Sequence, residues 1–262
     1  MENTGYQDLP GIHGLSLLAE IDLQDCQFHM QNIGSLIGRS LFLLEYGGNH
    51  TISNLNSKDI SSYDNIITIS FNQAGSVLIT DSQFENITKI GNTVIGGAIK
   101  AVLTSPSNRL DISNCKFSAC QAQDTFGGAI YSQISNSNAQ ITLTRTQFLQ
   151  CYAQSGGGLC AKIIFFGGSI IIENSCEFKE CNANSGNGGG IYAEITSIQN
   201  SSNFIIRDAL IQNCQAIASA STTPPTGFGG GIFIGGTGTY VPSTKRLDLK
   251  GMKIYNNSAS SG

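Results

Sequence analysis

Pairs of glycine recur along this 262-residue chain at a nearly constant interval, each followed by a small or apolar residue. They stand at Gly96-Gly97, Gly127-Gly128, Gly157-Gly158, Gly188-Gly189 and Gly229-Gly230, with spacings of 31, 30, 31 and 41 residues. Gly38-Arg39-Ser40-Leu41 reads as a degraded copy two periods before the first. Helices long enough to span the interval are excluded, because each internal glycine costs about 1 kcal/mol relative to alanine. A fixed period of this length marks a stack of supersecondary units instead.

A second register lies upstream of each pair. Phe28, Phe84, Phe117, Phe148 and Phe178 each follow a short run with apolar residues two apart, such as Val77-Leu78-Ile79, Leu110-Asp111-Ile112 and Ile141-Thr142-Leu143. That is the period of a strand. Ile211 and Ile254 fill the aromatic slot in later copies, and Leu55 is expected to fill it between Phe28 and Phe84. The run Ile170-Ile171-Ile172-Glu173 carries one residue too many before Phe178, which predicts a β-bulge.

A third register follows the aromatic. Cys120, Cys151, Cys181 and Cys214 lie three residues after it, with Asn257 in the last copy, and two residues later alanine returns at Ala122, Ala153, Ala183, Ala216 and Ala259. Strand period, glycine punctuation and a long repeat together predict an all-β fold, a right-handed parallel β-helix (β-solenoid) of about eight coils of roughly 30 residues. Residues 1–262 read as a single domain, a fragment of a longer protein, with 1–20 as an N-terminal cap or first coil and 217–228 as a loop insertion.

Composition limits the partners. Charged residues make up only 12%, the net charge is −4 and no basic run occurs, which argues against nucleic acid. The 40% hydrophobic content argues against disorder. No run of eighteen apolar residues is present, so no transmembrane segment is expected.

The copies Cys115-Lys116-Phe117-Ser118-Ala119-Cys120 leading to Gly127-Gly128-Ala129-Ile130, and Cys176-Glu177-Phe178-Lys179-Glu180-Cys181 leading to Gly190-Ile191, resemble the repeat of chlamydial polymorphic outer membrane proteins. Similar repeats occur in large surface proteins of protists. Cysteine stands here where that family has asparagine, and only Asn257 keeps it. The resemblance implies a β-helical ectodomain used for adhesion or surface display, and no enzyme activity.

Cys115, Cys120, Cys151, Cys176, Cys181 and Cys214 read either as a ladder of buried thiols or as disulfide partners, with Cys115–Cys120 and Cys176–Cys181 as pairs within a coil. Zinc and other cofactors are not implied, because His13, His29 and His50 lie outside the cysteine ladder. Asn49, Asn86, Asn200 and Asn256 head glycosylation sequons. Asp22, Asp111 and Asp248 share an outward position six residues before the aromatic, in a column expected to include Asn49, Leu78, Thr142 and Ile205. They fall on widely separated coils, too far apart to form a carboxylate site for polysaccharide cleavage. The insertion before Gly229, with Thr222, Thr223, Pro224, Pro225 and Phe228, and an excursion containing Tyr240 and Pro242, are the expected binding loops.

The leading expectation is a non-enzymatic extracellular or cell-surface protein that recognises a protein or glycan. The alternatives are a carbohydrate-active or glycan-binding β-helix and a component that self-associates through its coil edges.

Overall fold

In a computed structural model the described residues are 12–14, 20–24, 27–29, 36–37, 40–91, 95–165, 167–196, 202–219, 225–238, 241–244 and 246–261. They form two parallel sheets of 14 strands each, wound as a β-solenoid. A regular turn uses four strands. Ile130–Ile134 and Gln140–Thr144 lie in one sheet, and Gln147–Leu149 and Tyr152–Ser155 lie in the other. The next glycine step then returns the chain to the first sheet.

About five such four-strand turns run from Ile99 to Ala259, where about eight coils were expected along the whole chain, and three further levels precede them. Upstream the path is tighter. Phe42–Ser53 and Ile67–Thr80 are continuous strands of 12 and 14 residues, paired at offsets of 25 residues (Phe42 with Ile67) and 27 (Gly48 with Gly75). That interval leaves no room for the loop that divides the later turns.

Inward columns follow the sequence registers closely. Phe84, Phe117, Phe148 and Phe178 stack with ring centroids 4.8, 5.2 and 4.4 Å apart and planes within 7° of parallel. Offset-stacked aromatic pairs contribute about 0.5–1.5 kcal/mol each beyond the burial of their surface. Ile211 and Ile254 continue the column, and the five alanines form another.

Two expectations about register are corrected. Phe28 and Phe84 both pair with Ser57, so Ser57 and not Leu55 fills the aromatic slot. Leu55 sits one corner earlier, where its carbonyl accepts from Gln83 N–H. The surplus residue before Phe178 is not a bulge: Gln140–Thr144 pairs without a break along Ser169–Glu173. Instead Asn174 and Ser175 both adopt positive φ (56° and 65°), so the extra residue is absorbed in the corner.

The glycine corner has two separate requirements. Its first residue is left-handed at Gly96, Gly127, Gly156, Gly188 and Gly229, with φ between 65° and 85°. The third copy therefore begins at Gly156, one residue earlier than the sequence pairing implied. The second residue packs backbone on backbone: a Cβ on Gly97 would lie 1.7 Å from the Gly128 carbonyl oxygen, and one on Gly128 would lie 2.2 Å from that of Gly157. Only glycine fits either position.

Candidate functional site

Each regular turn has two further corners, and each turns on a left-handed residue without requiring glycine, with Asn174 and Ser175 both left-handed at the corner that absorbs the extra residue. The first uses Asn54, Asp81, Asn114, Arg145, Ser175 and Asp208, and the second uses Asp59, Asn86, Ala119, Gln150, Glu180, Asn213 and Asn256. A left-handed backbone points a side chain away from the rod, so these residues form ridges, while the residue that follows points inward and closes the corner.

At the second corner the closing residues are the cysteines. Cys120, Cys151, Cys181 and Cys214 donate from Sγ to the carbonyls of Phe84, Phe117, Phe148 and Phe178 at 3.5–3.6 Å. Asn257 performs the same task one level on, donating to the Ile211 carbonyl. At the first corner Cys115, Thr146 and Cys176 donate to Ile79, Ile112 and Leu143 carbonyls.

Cys115 and Cys120 therefore belong to different columns at opposite ends of Lys116–Ser118, and so do Cys176 and Cys181 around Glu177–Lys179. All seven described cysteines are free and buried. Burial pushes the Cys115 and Cys176 thiols up to about 12 and about 11, and holds Cys120 and Cys181 well above the ordinary thiol range. These four thiols have little thiolate character.

The sequons at Asn49, Asn86 and Asn256 are exposed, the last two on the second-corner ridge, and Asn86 donates from Nδ2 to Asp59 Oδ1. Asn200 lies outside the described residues. The aspartate column reads Asp22, Thr51, Leu78, Asp111, Thr142, Ile171, Ile205 and Asp248, with Thr51 where Asn49 was expected. Asp111 lies 3.7 Å from Arg109, and Asp248 lies 3.2 Å from Arg207. Among the described residues no group of His, Cys, Asp and Glu is arranged to hold a metal ion, and no helix is long and apolar enough to cross a membrane.

Of the expected binding loops, Thr222, Thr223, Pro224 and Tyr240 lie outside the described residues. Pro225 is exposed and Phe228 half-buried. The insertion is tied to the preceding turn, since Gly227 N–H donates to the Gly186 carbonyl and Phe228 N–H to Asn187 Oδ1. The insertion and the excursion flank opposite ends of Ile232–Gly236, so they do not adjoin along the chain path. A small apolar cavity of about 200 Å³ lies at the excursion's end of that strand, lined by Ile195, Ile234, Arg246 and Leu247 among others.

Two outward features escape a reading of the repeat alone. The first is an aromatic cluster on the outside of the first sheet. Tyr192 stacks on Phe233 at 5.5 Å and tilts against Phe126 at 5.8 Å, while Lys162 Nζ lies 4.8 Å from the Phe126 centroid and 2.7 Å from Glu194. This cluster seals Cys160, which is fully buried although its strand position faces out.

The second is a polar groove of about 500 Å³ lined by Gln121, Gln150, Tyr152, Glu180 and Asn182. Gln121, Tyr152 and Asn182 are register partners on three consecutive turns, each just after a column cysteine. Gln150 and Glu180 stand on the ridge just before the next cysteines, joined at 2.8 Å. The five residues flank the Cys-x-Ala register on its outward side, where the three levels carry different residues and the repeat gives no signal.

Neither a protein-family model nor a curated protein nor a solved structure matches this chain.

Proposed function

We propose that the protein is a non-enzymatic recognition scaffold of the cell surface or extracellular space, in which the solenoid holds outward side chains in fixed rows. The observation that carries this reading is the spacing of the carboxylates on the aspartate column. Four levels separate Asp111 from Asp248 and three separate Asp22 from Asp111. At about 4.8 Å per level these gaps are roughly 19 and 14 Å. Glycoside cleavage needs paired carboxyl groups within about 10 Å.

Support for the location comes from the resemblance of the Phe-x-x-Cys and Gly-Gly-x-Ile elements to the repeat of chlamydial and protist surface proteins, and from the exposure of Asn49, Asn86 and Asn256. The test has two arms. Immobilised protein is offered to intact cells and to extracellular-matrix glycans, and retention supports the reading. In the second arm the protein is incubated with acidic polysaccharides with and without Ca²⁺, and released product overturns it.

A further inference from the structure

Among the described residues, the groove along the second corner brings together unengaged polar groups, a ring and a ridge. Its floor is the row Gln121, Tyr152 and Asn182, at successive levels roughly 4.8 Å apart. Among the described residues the amides of Gln121 and Asn182 make no hydrogen bond, so their donors and acceptors are available. Tyr152 lies between them, half-buried, with a ring face and a phenolic hydroxyl. The ridge side is closed by Gln150, whose Nε2 donates to Glu180 Oε2 at 2.8 Å.

This chemistry selects among ligands. Amide side chains are planar and both donate and accept, which matches the paired donor and acceptor character of vicinal hydroxyls. An aromatic ring offers an apolar face to the C–H side of a sugar ring. The level spacing is comparable to one pyranose unit, so successive sugars can meet successive levels. The one charged group lining the groove is the Glu180 carboxylate, which repels sulfated or uronate chains. It has no second lining carboxylate to act with, so the groove binds without cleaving.

We propose that this groove is a binding site for a neutral oligosaccharide lying along the rod axis, with Tyr152 as the stacking platform and Gln121, Asn182 and the Gln150–Glu180 pair as hydroxyl ligands. The proposal rests on the recognition reading and names its ligand class.

The test is isothermal titration of the whole chain with short neutral oligosaccharides of the cello, xylo, malto and chito series, beside uronate and sulfated chains. The expected result is binding to at least one neutral series, weakened about tenfold or more by Tyr152→Ala and by Asn182→Ala, the loss of one well-made contact. Thr142→Ala, on the outer face of the other sheet, serves as the control and leaves affinity unchanged. All three positions point outward, and circular dichroism of each variant establishes that the fold persists.

Absence of binding to every neutral series, preference for the anionic chains, or equal affinity in Tyr152→Ala and the parent overturns the proposal. Should cells still be retained by the Tyr152→Ala variant at full strength, the groove is overturned while the scaffold reading stands. Neutral-glycan binding accompanied by product release overturns both the non-cleaving character argued for the groove and the non-enzymatic reading.

Discussion

Cys214 and Asn257 occupy successive levels of one column and solve the same problem with different atoms. Cys214 donates from Sγ to the Phe178 carbonyl at 3.6 Å; Asn257 donates from Nδ2 to the Ile211 carbonyl at 3.0 Å and accepts from Cys214 N–H at 2.8 Å. The column is thus defined by its donor, not by sulfur chemistry. Cys181→Ser, which keeps a donor, is expected to remain within about 1 kcal/mol of the parent, and Cys181→Val to be lower by a further ~0.5–1.5 kcal/mol through loss of the bond. Urea unfolding of the two variants measures the difference, and equal stability would remove the donor argument.

The glycine corner makes the sharpest stability prediction. Gly128→Ala places a Cβ 2.2 Å from the Gly157 carbonyl oxygen and 2.4 Å from that of Tyr152, both backbone atoms that cannot yield alone. The expected cost is about 3 kcal/mol or more, read as a lowered denaturation midpoint or loss of soluble expression. A variant as stable as the parent would show that the turns can separate at this corner.

Phe148 lies between Phe117 at 5.2 Å and Phe178 at 4.4 Å, fully buried. Phe148→Ala should cost about 3–5 kcal/mol, because the rigid turns on either side cannot collapse into the space. Ser57 is the converse case. Its buried hydroxyl has no hydrogen-bond partner among the described residues, so Ser57→Ala should stabilise by roughly 1 kcal/mol. Chemical denaturation checks both, and only opposite signs fit.

Lys89 predicts a pH dependence. It occupies the alanine column opposite Ala122, only 1% exposed, with Nζ donating to the Gly91 carbonyl. Burial lowers its pKa from 10.5. The unfolded chain then holds the proton more tightly than the folded one, so stability rises with pH between the folded value and about 10.5. Asp64, Asp124 and Lys100 are the charges that act on it, the aspartates opposing the shift and Lys100 adding to it. Lys89→Met should stabilise at neutral pH and flatten this rise, which unfolding titrations at neutral and alkaline pH measure. An unchanged pH slope in the variant would assign the dependence to other groups.

Much of the fold is legible in the sequence because inward positions tolerate few residue types. Phe117, Cys120, Ala122 and Gly127 each fill a slot whose shape is set by identical slots above and below, so periodicity reveals them. The non-glycine corners are less visible. Asn114 and Asp208 are residue types that adopt left-handed backbone readily, but Ala119, Arg145 and Glu180 do so only because their neighbours in the stack impose it. Ser57 was hidden because Leu55, two residues earlier, has the same alternation and better hydrophobicity. The groove was hidden for a different reason: Gln121, Tyr152 and Asn182 point outward, where no packing constraint makes the three levels alike.

The approach to the glycine corner varies from two residues, between Ala153 and Gly156, to twelve, between Ala216 and Gly229, while both the alanine and glycine columns stay in register. The rod is therefore modular in a specific sense. This corner is a port at which foreign sequence can be spliced in without renumbering the stack, so new loops can be displayed at a chosen height along a scaffold that does not change.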